Sequence, residues 1–491
     1  MVSWKSEFHV FAYEDRRILY QVQSGAFFEI GAVVGAILDS DDESRESLIA
    51  SLSPALGFDQ IVEALGELEA ADLITFGPRC PLTTPSATDS SAVDYVAESG
   101  ATEHNSAGLA QSLAEMNSRP HATTITLHVS HACNISCTYC FALGGSYGGK
   151  PELMTWDTAR QAVKWLLAIS EESRRCQIDF FGGEPLLALD LMKQIVAYAR
   201  AEAEKRDIHI DFGITTNGTL LEGDALEFLM QEDIGIMVSV DGPKESHNAV
   251  RKFHNGGDTF DVVAENVRTA AAKRPDLLHL RSTMTSKNLN MPELVARLDE
   301  FGVDGISVSP TWESPHSPTS IRMEHVTELN GHIKALSDSE LAGLMSGDEA
   351  TYSNFRSKIK QVLNPQDKRQ YGCGGGKTYF GVDVKGDIYF CSAFGSMPEY
   401  KMGDVWNGLD RAKDEQFRRD LHVDNRKGCS TCWARHLCGG GCAYDARVAT
   451  GSTEGPNPVA CERIRYGYEL AMGMALELGE ASSDALGQLQ D

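Results

Sequence analysis

The chain has 491 residues, a length that exceeds one ordinary hydrophobic core and predicts two to four domains. Hydrophobic residues make up 42% and charged residues 23%, a balance typical of globular proteins. The formal net charge of −26 disfavours attraction to phosphate backbones, so no nucleic-acid partner is expected. No run approaches the ~18 apolar residues of a membrane span, and the first residues lack the apolar core of a signal peptide. We therefore expect a cytoplasmic protein with no membrane partner.

The first 121 residues predict a small unit followed by a linker. Strand-like runs cover 8–14, 18–23 and 27–30, and helical periodicity covers 32–38, 43–52 and 60–73. These elements fill a unit at residues 1–80. Residues 81–121 are rich in Pro, Ser, Thr, Ala and acidic residues, which predicts a linker with one weak helix around 107–116.

Residues 122–310 alternate between strand-like and helix-like segments. Strands are predicted at 123–129, 177–181, 209–214, 236–240, 278–284 and 305–309. Helices are predicted at 156–173, 189–205, 224–231, 260–273 and 291–301, with Thr155 as the N-cap of the first. Six such repeats predict the α/β class and a partial (β/α)6 barrel of parallel strands. Catalytic groups in barrels of this kind lie on loops after the strands.

Two segments follow the predicted barrel. Residues 311–370 are polar and predict a helical bridge, with helices around 321–337 and 352–363. Residues 371–491 are rich in Gly and Cys and predict a domain in which metal clusters take the place of a hydrophobic core.

Three cysteines, Cys133, Cys137 and Cys140, follow the first barrel strand. A loop with this spacing can turn three thiolates to a common point, and a [4Fe–4S] cubane held by three thiolates leaves one iron open. An open iron can chelate the amine and carboxylate of S-adenosylmethionine (SAM), whose reductive cleavage gives a 5′-deoxyadenosyl radical. The alternative is a zinc site or three unrelated core cysteines, although structural zinc usually takes four protein ligands.

Seven of the other nine cysteines lie between residues 373 and 461. They are Cys373, Cys391, Cys429, Cys432, Cys438, Cys442 and Cys461. Without a secretion signal, a chain with twelve cysteines indicates metal or redox use rather than a disulfide framework. Cys80 and Cys176 stand apart and are predicted to be ordinary buried thiols.

With Tyr139 before its third cysteine, the first loop resembles the radical SAM superfamily, and the resemblance implies that Tyr139 contacts the cofactor. The resemblance implies that Gly182, Gly183 and Glu184 hold the methionyl amine of SAM. It also implies that polar residues at the strand ends and one arginine contact the ribose hydroxyls and carboxylate of SAM. These residues are Thr216, Asn217, Ser239, Asp241 and Arg281. As alternatives, the short motifs also occur as ordinary turns, and Arg281 could form an internal salt bridge.

The later cysteines resemble the SPASM domain, which holds two auxiliary [4Fe–4S] clusters, so three clusters are expected in all. By the family's crossed arrangement, Cys429, Cys432, Cys438 and Cys461 would close one auxiliary cluster. Cys373, Cys391 and Cys442 would hold the other and leave an iron free for a substrate thiolate. The run Cys438–Cys442 contains three glycines whose N–H groups can approach sulfur. A pair of zinc ribbons is the alternative.

The segments 127–142, 144–149 and 179–186 resemble radical SAM/SPASM peptide maturases that form thioether crosslinks. These include the maturases of six-cysteine-in-forty-five-residue peptides and of the quinohemoprotein amine dehydrogenase small subunit. The resemblance implies that residues 1–80 form a winged-helix-like domain whose sheet edge binds a leader peptide. The implied partners are a ribosomal peptide or small protein subunit and a reductant such as flavodoxin or ferredoxin.

Two other functions stay open from the sequence. The first is a formylglycine-forming sulfatase-maturing oxidase, but such enzymes typically carry Asp beside an auxiliary-cluster cysteine, where this chain has Ser392 after Cys391. The second is a non-enzymatic iron–sulfur electron carrier or peptide chaperone, which the SAM-type motifs oppose. Candidate acids and bases are Asp211, Asp241 and His131, and the sequence does not rank them.

Overall fold

The structure is a computed structural model that describes residues 2–4, 7–40, 44–70, 73–76, 123–347 and 354–481. Residues 81–121, including the weak helix predicted at 107–116, lie outside these ranges, as does Cys80. Every helix within the ranges is too short or too polar to cross a bilayer.

The N-terminal unit consists of short strands and three helices, as the periodicity predicted. Its strands are β1 (Val2–Trp4), β2 (Phe8–Tyr13), β3 (Arg16–Gln21), β4 (Phe27–Glu29) and β5 (Ile74–Phe76), and its helices are α1 (Ala32–Leu38), α2 (Arg45–Leu56) and α3 (Phe58–Ala70). Strands β2, β3 and β4 form an antiparallel sheet. Buried Leu19, Ile37 and Leu65 join sheet and helices in one core. The pairing of β1 with β5 was not predicted.

Six parallel strands form the central barrel, which confirms the predicted α/β class. They are β6 (Thr124–Ser130), β8 (Arg175–Gly182), β9 (His209–Thr216), β10 (Gly235–Ser239), β12 (Leu278–Met284) and β13 (Gly305–Pro310). They pair in chain order. The connecting helices are α4 (Trp156–Ile169), α5 (Leu189–Glu204), α6 (Gly223–Gln231), α7 (Lys244–Val250), α8 (Phe260–Ala271) and α9 (Met291–Asp299). Thr155 caps α4 by accepting the N–H of Thr158, as predicted.

Two further short strands lie beside the cysteine loop and were not predicted. Strand β7 (Ile135–Cys137) pairs antiparallel with β11 (Arg251–Phe253). The register places Arg251 directly opposite Cys137. The pairing therefore places Arg251 next to the three-cysteine loop, although the two are far apart in the sequence.

The C-terminal part continues the barrel sheet. Its elements are α10 (Val326–Ser346), α11 (Arg356–Leu363), β14 (Tyr379–Val382), β15 (Asp387–Tyr389), β16 (Lys401–Asp404), β17 (Gly408–Leu409), α12 (Arg411–Leu421), α13 (Arg435–Cys438), α14 (Ala443–Thr450) and α15 (Pro458–Ala481). Strand β14 pairs parallel with β6, with Tyr379 opposite Thr124. The barrel strands and β14–β17 therefore share one ten-stranded sheet. Helix α15 packs against α10 and α11.

Candidate active site

A cavity of about 860 Å³ lies within the barrel, a volume suited to a small-molecule ligand. Cysteines from two distant parts of the sequence line it, namely Cys133, Cys137, Cys140 and Cys391. Seven of the residues predicted to contact SAM also line it: Tyr139, Gly182, Gly183, Thr216, Asn217, Ser239 and Arg281. The structure thus brings most of the predicted site residues to one cavity.

The three-cysteine loop is held next to polar side chains. The Nδ2 of Asn217 lies 3.7 Å from the Sγ of Cys133, and the Nη1 of Arg251 lies 3.7 Å from the Sγ of Cys137. Burial raises the pKa of Cys137 to about 12, and the Arg251 cation opposes that rise. In the described chain, no three His, Cys, Asp or Glu side chains converge closely enough to hold a single metal ion. The three cysteines surround the cavity instead.

The two motif glycines pack directly on the cysteine loop. A Cβ on Gly182 would lie 2.0 Å from the carbonyl oxygen of Ser130, and one on Gly183 would lie 2.2 Å from that of Ala132. The N–H of Gly183 donates to the carbonyl oxygen of Ser130 at 2.8 Å. Only glycine permits this approach, so the motif fixes the end of β8 against the loop that carries Cys133.

The structure gives Glu184 a different position from the predicted contact with the SAM amine. Its side chain is fully buried and does not line the cavity. One carboxylate oxygen accepts the Thr216 hydroxyl and the Leu186 N–H, and the other accepts the Asn217 N–H at 2.8 Å. Burial raises the pKa of Glu184 to about 7, against the lowering effect of these donors. Glu184 therefore ties the end of β8 to the end of β9.

Asp241 also differs from its predicted role as a SAM contact. Its carboxylate is fully buried and accepts the Tyr139 hydroxyl, the Nε of Arg251 at 2.8 Å and the Thr283 N–H at 2.8 Å. Arg251 is itself only 8% exposed, and its guanidinium lies 5.4 Å from the centroid of the Tyr139 ring. Sequence reasoning missed Arg251, because its place beside Cys137 follows from the pairing of β7 with β11.

Arg281 places a cationic side chain in the cavity wall. It lines the cavity near Ser239, the residue that pairs with it across β10 and β12. Within the described ranges its guanidinium makes neither a hydrogen bond nor an ion pair, so the alternative of an internal salt bridge finds no partner there. Burial lowers the pKa of Arg281. A guanidinium in this position is suited to a ligand carboxylate.

The three candidate bases have quite different surroundings. Asp211 is not among the residues that line the cavity, and it pairs with Arg175 and His209. The buried carboxylate of Asp241 accepts hydrogen bonds from Tyr139, Arg251 and Thr283. His131 bonds to His128 through ring nitrogens 3.1 Å apart, and burial lowers the pKa of His131 to about 4. None of the three combines a free titratable atom with a place in the cavity wall.

The first set of later cysteines lies against the barrel. Burial raises the pKa of Cys391, with the Cys373 thiol adding to the effect. Burial likewise raises the pKa of Cys442 to about 12, and the thiols of Cys391 and Cys373 add to it. Cys373 is exposed, whereas Cys391 lies in the cavity wall. These three thiols are therefore mutual neighbours, and Cys391 is the member of the group that lines the cavity.

The second set surrounds a separate small cavity. Its lining includes Cys429, Cys432, Cys438 and Cys461, with Cys442 at the border between the two sets. Burial raises the pKa of Cys461 to about 12, with the other three thiols of the set adding to it. The fully buried Arg426 supplies a cation near four of these cysteines. Cys442 thus neighbours both groups of thiols, and the division of the seven cysteines between two clusters stays a prediction.

The glycine run between Cys438 and Cys442 has the backbone that close approach to sulfur requires. Gly439, Gly440 and Gly441 have φ values of +69°, +89° and +71°, in the left-handed region that favours glycine. The N–H groups of Gly440 and Gly441 donate toward the Cys438 thiol and oppose the rise in its pKa that burial causes. Cysteines around enclosed cavities with N–H and cationic neighbours suit iron–sulfur clusters. Cys176, by contrast, is an ordinary buried thiol in the hydrophobic core.

Comparison with family models gives two matches. Residues 127–285 match the Radical SAM superfamily, and residues 373–433 match the SPASM iron–sulfur cluster-binding domain. The chain contains a radical SAM domain followed by a SPASM domain. These two matches support radical SAM chemistry of the oxidoreductase type, SAM binding and iron–sulfur clusters.

Individual proteins are also similar to this chain in sequence or in fold. A cysteine-type anaerobic sulfatase-maturating enzyme of Clostridium perfringens is 25% identical over 344 residues, which are 66% of this chain and 89% of that protein. The structure of anSMEcpe with bound AdoMet has a TM-score of 0.64 at 21% identity and covers 75% of this chain and 98% of its own. The structure of Streptococcus suis SuiB bound to precursor peptide SuiA has a TM-score of 0.50 at 15% identity. It covers 94% of this chain and 99% of the SuiB chain.

Proposed function

We propose that this radical SAM/SPASM enzyme modifies a ribosomally made peptide or small protein subunit by forming Cys-to-carbon thioether crosslinks. The position of Cys391 carries the proposal, because it lines the same cavity as Cys133, Cys137 and Cys140. A substrate cysteine at the auxiliary site and a substrate carbon at the SAM site can then share one cavity. The structural neighbour that was solved with a precursor peptide supports a peptide as the substrate.

The cavity residues bind and orient SAM in this proposal. Arg281 pairs with the SAM carboxylate, and Ser239 beside it offers a hydroxyl. The backbone at Gly182 and Gly183 meets the methionyl amine, while Glu184 positions Thr216 and Asn217 rather than touching SAM. When bound, the cluster and SAM supply a 5′-deoxyadenosyl radical that takes a hydrogen atom from the substrate.

Three [4Fe–4S] clusters belong to the proposal. Cys133, Cys137 and Cys140 would hold the cluster that binds SAM. Cys373, Cys391 and Cys442 would hold the auxiliary cluster next to the cavity, and Cys429, Cys432, Cys438 and Cys461 would hold the second. The buried Arg426 would offset negative charge at the second auxiliary cluster. Iron and sulfide analysis after anaerobic reconstitution tests the number of clusters.

The N-terminal unit is proposed to bind the leader part of the substrate. The antiparallel sheet of β2, β3 and β4 has an edge at β4, where Phe28 is exposed. A peptide can add a strand to such an edge through backbone hydrogen bonds.

The proposed reductant is a flavodoxin or ferredoxin.

Formylglycine formation is the second candidate, favoured by the 25% identity to a sulfatase-maturating enzyme. The residue after the cavity cysteine weighs against it. Ser392 stands there, and its hydroxyl lies 3.0 Å from that of Tyr379. A serine hydroxyl in this position is a much weaker base than a carboxylate.

Mass spectrometry of a Cys-containing peptide encoded next to this chain separates these functions. The peptide is incubated with reduced enzyme and SAM, and Cys133→Ala serves as the inactive control. Crosslinking removes about two mass units per bond, whereas conversion of Cys to formylglycine removes about eighteen. Linked peptide fragments from the wild type alone support the proposal. Unchanged peptide despite deoxyadenosine formation contradicts it, and absence of deoxyadenosine would favour the electron-carrier alternative.

A further inference from the structure

Tyr379 connects the cavity to the auxiliary cysteines. Its side chain lines the cavity, and its hydroxyl lies 3.0 Å from the Sγ of Cys391. The residue begins β14, where it pairs with Thr124 of the barrel and forms a bridge to Gly375 in the loop of Cys373. The barrel and the cysteine loop therefore both hold the backbone of Tyr379 in place.

The hydrogen bonds around this hydroxyl direct its proton. The N–H of Ser392 donates to the Tyr379 oxygen at 3.0 Å, which occupies part of its acceptor capacity. The acceptors left for the Tyr379 proton are the Sγ of Cys391 and the hydroxyl oxygen of Ser392, each at 3.0 Å. A bond to a cluster thiolate is charge-assisted and is therefore the stronger of the two.

A donor to a cluster thiolate stabilises the reduced, more negative state of the cluster more than the oxidised state. We propose that Tyr379 is a positioning residue that raises the reduction potential of the auxiliary cluster held by Cys373, Cys391 and Cys442. This cluster then accepts the electron that crosslinking releases. The role of this cluster as electron acceptor rests on the proposed thioether chemistry. The effect of the Tyr379 hydroxyl on the reduction potential does not depend on that chemistry.

The electron and proton balance requires such an acceptor. One electron enters when SAM is cleaved, and the substrate carbon gives its hydrogen atom to the deoxyadenosyl radical. The substrate thiol gives its proton to solvent, and the sulfur–carbon bond forms between the thiolate and the carbon radical. Formation of this bond leaves one surplus electron, which passes to the oxidised auxiliary cluster. The substrate thus loses two hydrogens, and one electron is returned.

The test is a redox titration monitored by electron paramagnetic resonance on the reconstituted full chain without substrate. Tyr379→Phe removes the hydroxyl and keeps the ring, so the potential of the auxiliary cluster next to the cavity is expected to become more negative. The other clusters are expected to keep their potentials. Tyr389→Phe is the matched control, because this buried tyrosine lies on neighbouring β15 and donates to Asp383 rather than to a cysteine.

A second variant covers the case in which Tyr379→Phe fails to fold or to load its clusters. Replacing Tyr379 by 3-fluorotyrosine keeps the size and makes the hydroxyl a stronger donor, so the same potential is expected to become more positive. Equal potentials in the wild type and both variants would overturn the inference, as would an equal shift in the Tyr389→Phe control. A wild type that forms no crosslinks refutes the proposed function, whereas unshifted potentials in a crosslinking enzyme refute only the role of Tyr379.

Discussion

The ring of His9 stacks face to face on that of Trp433, with centroids 4.0 Å apart and planes inclined by 5°. His9 lies on β2 of the N-terminal unit, and Trp433 directly follows Cys432. The Nε2 of His9 also lies 2.8 Å from a carboxylate oxygen of Glu469 on α15. The proposed peptide-binding unit is thus attached beside a predicted cluster ligand.

Loss of this stack is expected to loosen the N-terminal unit. His9→Ala removes an aromatic pair worth about 0.5–1.5 kcal/mol, together with the contact to Glu469. We expect faster proteolysis near the N-terminal unit and a lower melting temperature, measured by limited digestion and calorimetry. His316→Ala, at an exposed histidine, is the control. Identical digestion of both variants and the wild type would argue that the stack contributes nothing.

Arg281→Gln is expected to weaken SAM binding about ten- to a hundredfold. The variant loses a charge-assisted interaction of about 1.5–3 kcal/mol between the guanidinium in the cavity and the SAM carboxylate. Anaerobic calorimetric titration of SAM into the reconstituted enzyme measures the effect. Arg297→Gln removes an exposed arginine that pairs with Glu300 away from the cavity and should leave the affinity unchanged. Equal SAM affinity in the two variants would contradict the role of Arg281.

The raised pKa of Glu184 predicts that the stability of the folded chain falls as the pH rises. Its pKa is about 7 in the folded chain, against an ordinary value of 4.5. The folded state therefore binds more protons than the unfolded state between these values, and stability falls as pH rises through that window. Relative to Glu184→Gln, the wild type should lose up to about 3 kcal/mol between pH 4.5 and 7. Melting temperatures of both proteins across this range test the sign, and a difference that grows with pH in favour of the wild type would refute it.

Arg251→Met should destabilise the chain by about 3–5 kcal/mol, because it leaves the buried Asp241 carboxylate without its cation. It also removes the cation beside Cys137, so less iron is expected per chain. Thermal melting and iron analysis measure the two effects. In the double variant with Asp241→Asn, much of the stability should return while the iron content stays low. Full iron content in Arg251→Met would show that the Cys137 site does not depend on the cation.

Periodicity and capping residues predicted the six barrel strands and five of its helices, because each presents an apolar face to one core. The strand pair β7–β11 was not predicted, because it joins residues more than a hundred positions apart. The C-terminal strand β14 escaped for the same reason. The short helix α7 was also not predicted.

The cysteines and glycines of the candidate site could be predicted from the sequence, because each motif lies within a single loop. The roles of Glu184 and Asp241 could not, because a motif does not show whether a carboxylate faces a cavity or accepts bonds inside the protein. Arg251 and Tyr379 lie in no recognised motif. Each reaches its cysteine through strand pairing, so only the folded chain reveals them.

The pairing of β14 with β6 limits how the enzyme can move. Backbone hydrogen bonds join Tyr379–Val382 to the first half of β6, which leads directly to the loop of Cys133. Hinge opening between the two domains at this seam would break several of these bonds at once. The spacing between Cys391 and the three-cysteine loop is therefore built into the sheet, and a substrate that reaches both has to adapt its own conformation to that fixed distance.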